Sequence, residues 1–201
     1  MERLPCAYTP GMSIEHQPAQ AGDGANSSSA RLAAKSCGEC TLCCTVLAVR
    51  DLDKPAGRAC DHIAKGGGCN AYTNRPRSCR AFQCFWTISE VLDEAWKPSR
   101  SGLVLWSNIE GRLIVEVDPE RPDAWREEPY LGQLQAWADR SKPLHLEVLI
   151  RIGGTLMVLF PEGAVDLGPS QDDLAVDSGY LIKDGVSVPY ARYVEPASPA
   201  P

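Results

Sequence analysis

Cys37-Gly38-Glu39-Cys40-Thr41-Leu42-Cys43-Cys44 opens the stretch that decides how this chain is read, and Cys60, Cys69, Cys79 and Cys84 complete it. Nine cysteines occur in 201 residues; eight fall in this window and none follows it. Thiolates are soft ligands, and four of them enclose a zinc ion tetrahedrally or hold the irons of an iron–sulfur cluster. A C-x2-C step is short enough for two sulfurs to clasp one ion, and Gly38 eases the turn between them. Two overlapping steps, an adjacent fourth cysteine and four more between residues 60 and 84 are far more specific than a lone CxxC. The candidate metal ligands are therefore Cys37, Cys40, Cys43, Cys44, Cys60, Cys69, Cys79 and Cys84.

Spacing restricts how they are shared. Cys43 and Cys44 are neighbours, so their side chains diverge by about 100° on a helix or point to opposite faces of a strand. Cys79 and Cys84 are five apart, roughly 140° apart on a helix. Both facts favour two neighbouring centres, with the first four cysteines divided between them and the last four completing each. Eight thiolates and two divalent ions leave a net negative charge. Arg75, Arg77 and Arg80 bracket Cys79 and are expected to offset it, since nearby cations lower thiol pKa values. His62, two residues after Cys60, is a candidate to orient a ligand from behind it. Phe82, Phe85 and Trp86 are expected to pack around the centre and exclude water.

The remaining composition sets the context. Hydrophobic residues make up 44% and charged residues 23% of a chain with formal charge −6, which are ordinary globular values. The acidic balance argues against nucleic acid as a partner. No apolar run approaches the roughly 18–20 residues of a membrane span, and the N-terminus lacks the apolar segment of a secretory signal. The expected location is cytoplasmic, without a membrane partner. Thiols stay reduced there, so clustered cysteines read as ligands rather than disulfides.

Residues 1–34 are expected to be a disordered tail, rich in Ala, Gly and Ser, with Met12 as an alternative start. Cys6 and His16 are set aside with that tail. Residues 35–98 form the cysteine-cluster segment; from 37 to 84, seven Lys and Arg stand against four Asp and Glu. From 101 onward, eight stand against sixteen, so the acidity lies in the half without cysteine, a surface for an unidentified protein partner. Residues 99–195 read as the β-rich α+β part of the same unit, and 196–201 as a frayed tail.

In that second part, Leu103–Trp106 and Leu113–Val117 suggest a hairpin around residues 108–111. Leu131, Leu134, Trp137 and Ala138 share one face of a helix over 129–140. Alternation from Leu144 to Ile152 predicts a half-buried strand that leaves His145 on the solvent face. Gly153-Gly154 turns it into a second hairpin through Phe160. Short edge strands are expected at 180–182 and 186–194. The fold class is thus α+β: a metal-stabilised cysteine-rich N-terminal half packed on a small antiparallel sheet with one helix. The five tryptophans, spread over both parts, are expected to share its core.

The residues of the window resemble the YkgJ-like cysteine-cluster family. The resemblance lies in Cys37-Gly-Glu-Cys40-Thr-Leu-Cys43-Cys44, in Leu52-Asp53-Lys54-Pro55-Ala56-Gly57 and Cys60-Asp61-His62, and in Cys69-Asn-Ala-Tyr72-Thr-Asn-Arg75-Pro76-Arg-Ser-Cys79-Arg80-Ala-Phe82-Gln-Cys84, with a weaker continuation through Trp96-Lys97-Pro98. It covers about a quarter of the chain. It implies a zinc- or iron-chelating domain with a CxxCxxCC signature. One branch of that family, the flagellin lysine methylases, uses S-adenosylmethionine. This chain lacks cysteines beyond Cys84, and Gly66-Gly67-Gly68 reads as a flexible turn rather than a nucleotide loop.

Zinc is the first choice of cofactor, because two closed four-thiolate sites need nothing else. The alternative is iron or an iron–sulfur cluster in a redox or S-adenosylmethionine-dependent enzyme. Cys37, Cys40 and Cys43 match the start of a ferredoxin-type run, but Cys44 comes too soon for its fourth ligand. Hydrolysis at an open metal position, with Glu39 or Asp61 as base, ranks last, since eight thiolates leave no vacancy. A thiol–disulfide switch has no single reactive pair to point to.

Overall fold

The structure, a computed structural model, describes residues 35–196 apart from Ile109, His145 and Asp172. The expected tails over 1–34 and from 197 on, with Cys6, Met12 and His16, and the placement of His145 lie outside the described residues. The described chain belongs to one compact unit and is α+β. Short helices occupy its first part: α1 (Leu42–Val46), α2 (Arg77–Ala81), α3 (Phe85–Ile88) and α4 (Pro98–Ser101). Strands β1 (Leu103–Ser107) and β2 (Leu113–Val117) precede helix α5 (Tyr130–Ser141). Then come β3 (Val148–Ile152), β4 (Thr155–Phe160), β5 (Gly163–Pro169), β6 (Ala175–Lys183) and β7 (Val186–Val194).

Strands β1 to β5 form one sheet in chain order, and β6 and β7 form a separate two-stranded sheet. The β1–β2 turn is tied by Asn108, whose Oδ1 accepts from the backbone N–H groups of Glu110 (3.1 Å) and Arg112 (3.0 Å). Gly153 and Gly154 both have positive φ, at 53° and 93°, the geometry a two-residue hairpin requires.

The sheet is mixed, which corrects the expectation of an antiparallel one. β2 and β3 run parallel, pairing Leu113 with Val148 through Val117 with Ile152. The two hairpins were read correctly one at a time, but α5 lies between them. A parallel pair needs such a crossover, and α5 carries the chain back to begin β3 beside the start of β2. α5 itself follows the expected stripe, with Leu134 fully buried.

The crossover also explains why alternation misleads over 144–152. Residues 142–144 form a 3-10 turn, and Val148, Leu149 and Ile150 are all buried. The sheet has apolar layers on both faces. Val115, Val148 and Ile150 join α5 and the tryptophans Trp86, Trp96 and Trp125 in one core. Ile114, Leu149, Leu156, Val158 and Phe160 form a second, against Val165, Tyr180 and Tyr193 of the later strands. A strand covered on both sides shows a continuous apolar run, not alternation. β5 escaped notice because Gly163, Gly168 and Pro169 break its β signal, although Val165 and Leu167 pack inward.

The cysteine-bearing part sits at the β1 edge of the sheet, where α1 and α3 pack against β1. Its Val46, Cys84 and Trp86 enter the same core as Leu103 and Leu134. Phe82 meets Trp106 of β1 edge-on, 6.2 Å between ring centres. Among the described residues no helix is long and apolar enough to cross a membrane.

Candidate metal centre

Four backbone devices bring the cysteines to one place. The N–H of Cys40 donates to the carbonyl of Cys37 at 2.9 Å across a turn with Gly38 at φ 53°, and α1 then carries Cys43 and Cys44. The chain folds back along α1, so that the N–H of Cys60 donates to the Cys44 carbonyl at 3.1 Å. An isolated bridge joins Ile63 to Cys69, and between them the glycine turn lies on the first C-x2-C loop. The Gly68 N–H donates to the Glu39 carbonyl at 3.1 Å. A Cβ on Gly67 would lie 2.8 Å from the Glu39 carbonyl oxygen, and one on Gly68 would lie 2.9 Å from that of Gly38. The glycines that read as a flexible turn are therefore a close-contact surface that seats the residues before Cys69 on the backbone of Gly38 and Glu39.

The last pair is placed by α2 and α3. Asp51 accepts from both the N–H and the hydroxyl of Ser78 at 2.7 Å, tying α2 and its Cys79 to the turn at Arg50–Leu52. These two bonds hold the exposed Asp51 carboxyl below its ordinary pKa. The Cys84 carbonyl accepts from the N–H (2.9 Å) and hydroxyl (2.7 Å) of Thr87 and so caps α3. All eight cysteines are free thiols, and all eight line one cavity of about 850 Å³. They surround that space rather than converge on a point: among the described residues no group of three or more His, Cys, Asp or Glu is gathered closely enough to grip an ion.

Within the cavity wall the thiols fall into neighbourhoods. Cys43 and Cys84 both touch the main core. Burial raises the Cys84 thiol, with Cys37 and Cys40 adding to it as like-charged neighbours. Cys37 is raised by burial and then by Cys40. Cys79 has a different set of neighbours: burial raises it first, then Cys44, Cys60 and Cys69. Cys43 donates its thiol hydrogen to Cys44. That bond, ahead of burial, pushes Cys43 well up. The same bond, helped by Lys54 and Arg75 against the effect of burial, holds Cys44 at about 7.

Of the three arginines, only Arg75 lines the cavity. Its guanidinium stacks on Tyr72 at 4.1 Å and donates to the Tyr72 carbonyl at 3.1 Å. Arg80 instead donates to the Arg75 carbonyl at 2.7 Å. The second cation stands in the Leu52–Gly57 stretch of the resemblance, which gave it no role. Lys54 is only 6% exposed, and its ammonium donates to the carbonyls of Thr45 (3.3 Å), Leu47 (2.5 Å) and Pro55 (3.0 Å). It thus closes the C-terminal end of α1 and shares a small pocket with Cys60 and His62. Burial lowers its pKa, while the Cys60 and Cys44 thiols oppose that. His62 lines the main cavity. Glu39 and Asp61 are exposed, and Asp61 pairs with Arg58 at 3.5 Å.

The cavity reaches the sheet at Trp106, Glu116 and Arg151. Glu116 and Arg151 sit inside ordinary strand patterns with no local sign of a site, and Trp106, expected in the shared core, packs instead with the second apolar layer. No family model matches this chain, and no match was found among curated proteins or solved structures.

Proposed function

We propose that this protein is a metal-binding cysteine-cluster protein of the CxxCxxCC kind, zinc being the first choice and iron the alternative. One observation carries the reading: eight free thiols, spread over 48 residues of sequence from 37 to 84, line a single cavity. Two four-thiolate centres account for all of them. Cys37, Cys40, Cys43 and Cys84 form the one nearer the core, and Cys44, Cys60, Cys69 and Cys79 the outer one. This division sends Cys43 and Cys44, and Cys79 and Cys84, to different centres. It also follows the neighbourhoods that raise Cys84 and Cys79. Each divalent centre with four thiolates keeps a charge of −2, and Lys54 and Arg75 lie beside Cys44 to offset it.

The residues between the cysteines form short helices and turns with little apolar surface of their own. Metal ligation then supplies much of the order of residues 35–98, as it does in small metal-dependent folds. Anaerobic purification followed by metal analysis tests the proposal. Two zinc ions per chain are expected, in a colourless protein. A brown protein absorbing near about 400 nm would move the reading to iron–sulfur chemistry. One ion per chain with half the thiols still reactive would overturn the two-centre division.

A further inference from the structure

The β6–β7 sheet is guarded along one edge and open along the other. Asp184 and Gly185 join its strands with φ of 52° and 79°, the geometry of a two-residue type I′ turn. Lys183 and Val186 flank that turn as register partners. They bond to each other through both backbone groups, and bonded and unbonded rows alternate down the ladder from there. The backbone groups of Val176, Ser178, Tyr180 and Ile182 therefore point away from β7. Across the ladder, the residue paired with Tyr180 is Pro189. It has no N–H to offer on the outer side of β7, a common guard on edge strands. β6 (Ala175–Lys183) holds no proline. It has a strand on one side only, and among the described residues no backbone bond from another element reaches its open side.

The side chains show what fits that edge. Val176, Tyr180, Ala191 and Tyr193 turn inward to the second core, so Asp177, Leu181 and Lys183 share the outer face. Residues 181–188 are all exposed, with Leu181 at 57% and Ile182 at 76%, so the end of the hairpin overhangs the body on both faces. We propose that β6 pairs antiparallel with β6 of a second copy, about a two-fold axis through Tyr180, joining the two hairpins into one continuous sheet. In this register Tyr180 meets Tyr180 of its partner and Ser178 meets Ile182, their outward N–H and carbonyl groups bonding across the axis. Lys183 then lies opposite Asp177 of the second copy, twice by symmetry, while Asp177 keeps its own Arg192 at 2.7 Å. Opposite charges facing each other favour a pairing, and like charges oppose it. Leu181 lies opposite Gly179, against the Tyr190 ring that packs over that glycine. Setting Ile182 opposite itself would instead leave Lys183 facing Leu181, and setting Ser178 there would push the tip past the end of the strand. Each overhanging tip runs beside the base of the partner's hairpin, so the two bodies sit toward opposite ends of the joined sheet.

Sedimentation equilibrium of the full chain, with hydrogen exchange followed residue by residue, tests the proposal. A mass of two chains is expected, with half-dissociation below about 100 μM. The amides of Ser178, Tyr180 and Ile182 should exchange roughly tenfold or more slowly in the dimer than after dilution to monomer. Ser178→Pro removes an N–H that the β6–β7 ladder does not use, and should weaken dimerisation roughly tenfold or more. Lys183→Glu sets carboxylates against each other at both ends of the pairing and should also weaken it, most strongly at low salt. A monomer at every concentration up to about 1 mM would overturn the proposal. So would a dimer in which these three amides stay fast, or one that Ser178→Pro leaves intact. Slow exchange that dilution does not change would overturn it too, by showing that another segment of the same chain covers the edge. The exchange measurement uses the unaltered protein, so the test does not depend on the variants folding.

Discussion

The strongest demands on single residues come from backbone crowding and from Lys54. Gly67 and Gly68 have φ of 89° and 76°, a conformation that costs other residues about 1–2 kcal/mol, and a Cβ at either would strike a backbone oxygen. Gly67→Ala should lower the melting temperature and the metal content together. Gly66→Ala, where an added Cβ meets nothing within 4 Å, should change neither. Lys54 holds three carbonyls at once, and a buried acceptor left unsatisfied costs about 1–3 kcal/mol. Lys54→Met should therefore destabilise the protein by at least that much in denaturant titration. In metal-free protein it should also raise the pH midpoint for Cys44 alkylation above about 7, because the thiolate loses a cationic neighbour. The eight ligand candidates were legible in the sequence from residue type and spacing alone. The burial of Lys54 and Glu116 was not, because a lysine in a turn and a carboxylate on a strand carry no local sign of being buried.

At the level of elements, the parallel contact between β2 and β3 is the feature that local patterns could not reveal. The turn of each hairpin was written in Asn108, Gly111, Gly153 and Gly154. The pairing of one hairpin with the other depends on where α5 delivers the chain, which is a tertiary fact. Glu116 sits on that contact with a raised pKa, so its proton is held more tightly in the fold than in the unfolded chain. Its share of stability is fully present at low pH and is lost as pH rises through and beyond the ordinary carboxylate value of 4.5. The stability difference between the unaltered protein and E116Q, measured by urea titration across this range, should decline with rising pH. α5 contributes mainly through Leu134, 0% exposed. Leu134→Ala should cost about 2–5 kcal/mol in the same titration.

Across the whole molecule, two kinds of cohesion meet. The sheet is closed on both faces by apolar side chains, and no cysteine is needed to complete its second core. The first part rests on the β1 edge and the main core through Val46, Cys84, Trp86, Leu92 and Trp96, with turns between. Chelation should therefore act unevenly: amide exchange over residues 37–84 should quicken markedly on metal removal, while β2, β3 and β4 keep their protection. Uniform quickening would show that metal ligation supports the whole fold. The class of the fold could be read from periodicity. The way the two parts share one core was visible only in outline, from tryptophans on either side, because which face each one takes is decided by packing.

Strands β1 to β5 lie side by side in the order in which they occur along the chain. Within each of the runs β1–β2 and β3–β4–β5 a strand finds its partner close at hand, and short-range pairings of this kind close at little entropic cost, while the parallel β2–β3 contact waits on α5. The cysteines precede the sheet, yet Cys84 and Trp86 have no apolar surface to rest on until β1 and α5 are in place. If the sheet forms first, it would present an open thiol pocket at its edge; pulsed amide exchange during refolding should then protect β3 and β4 before residues 37–84. On the proposed chelating function, loading with metal would be the closing step of maturation, and a chain made when metal is scarce would wait, folded in its sheet and unfinished at its edge.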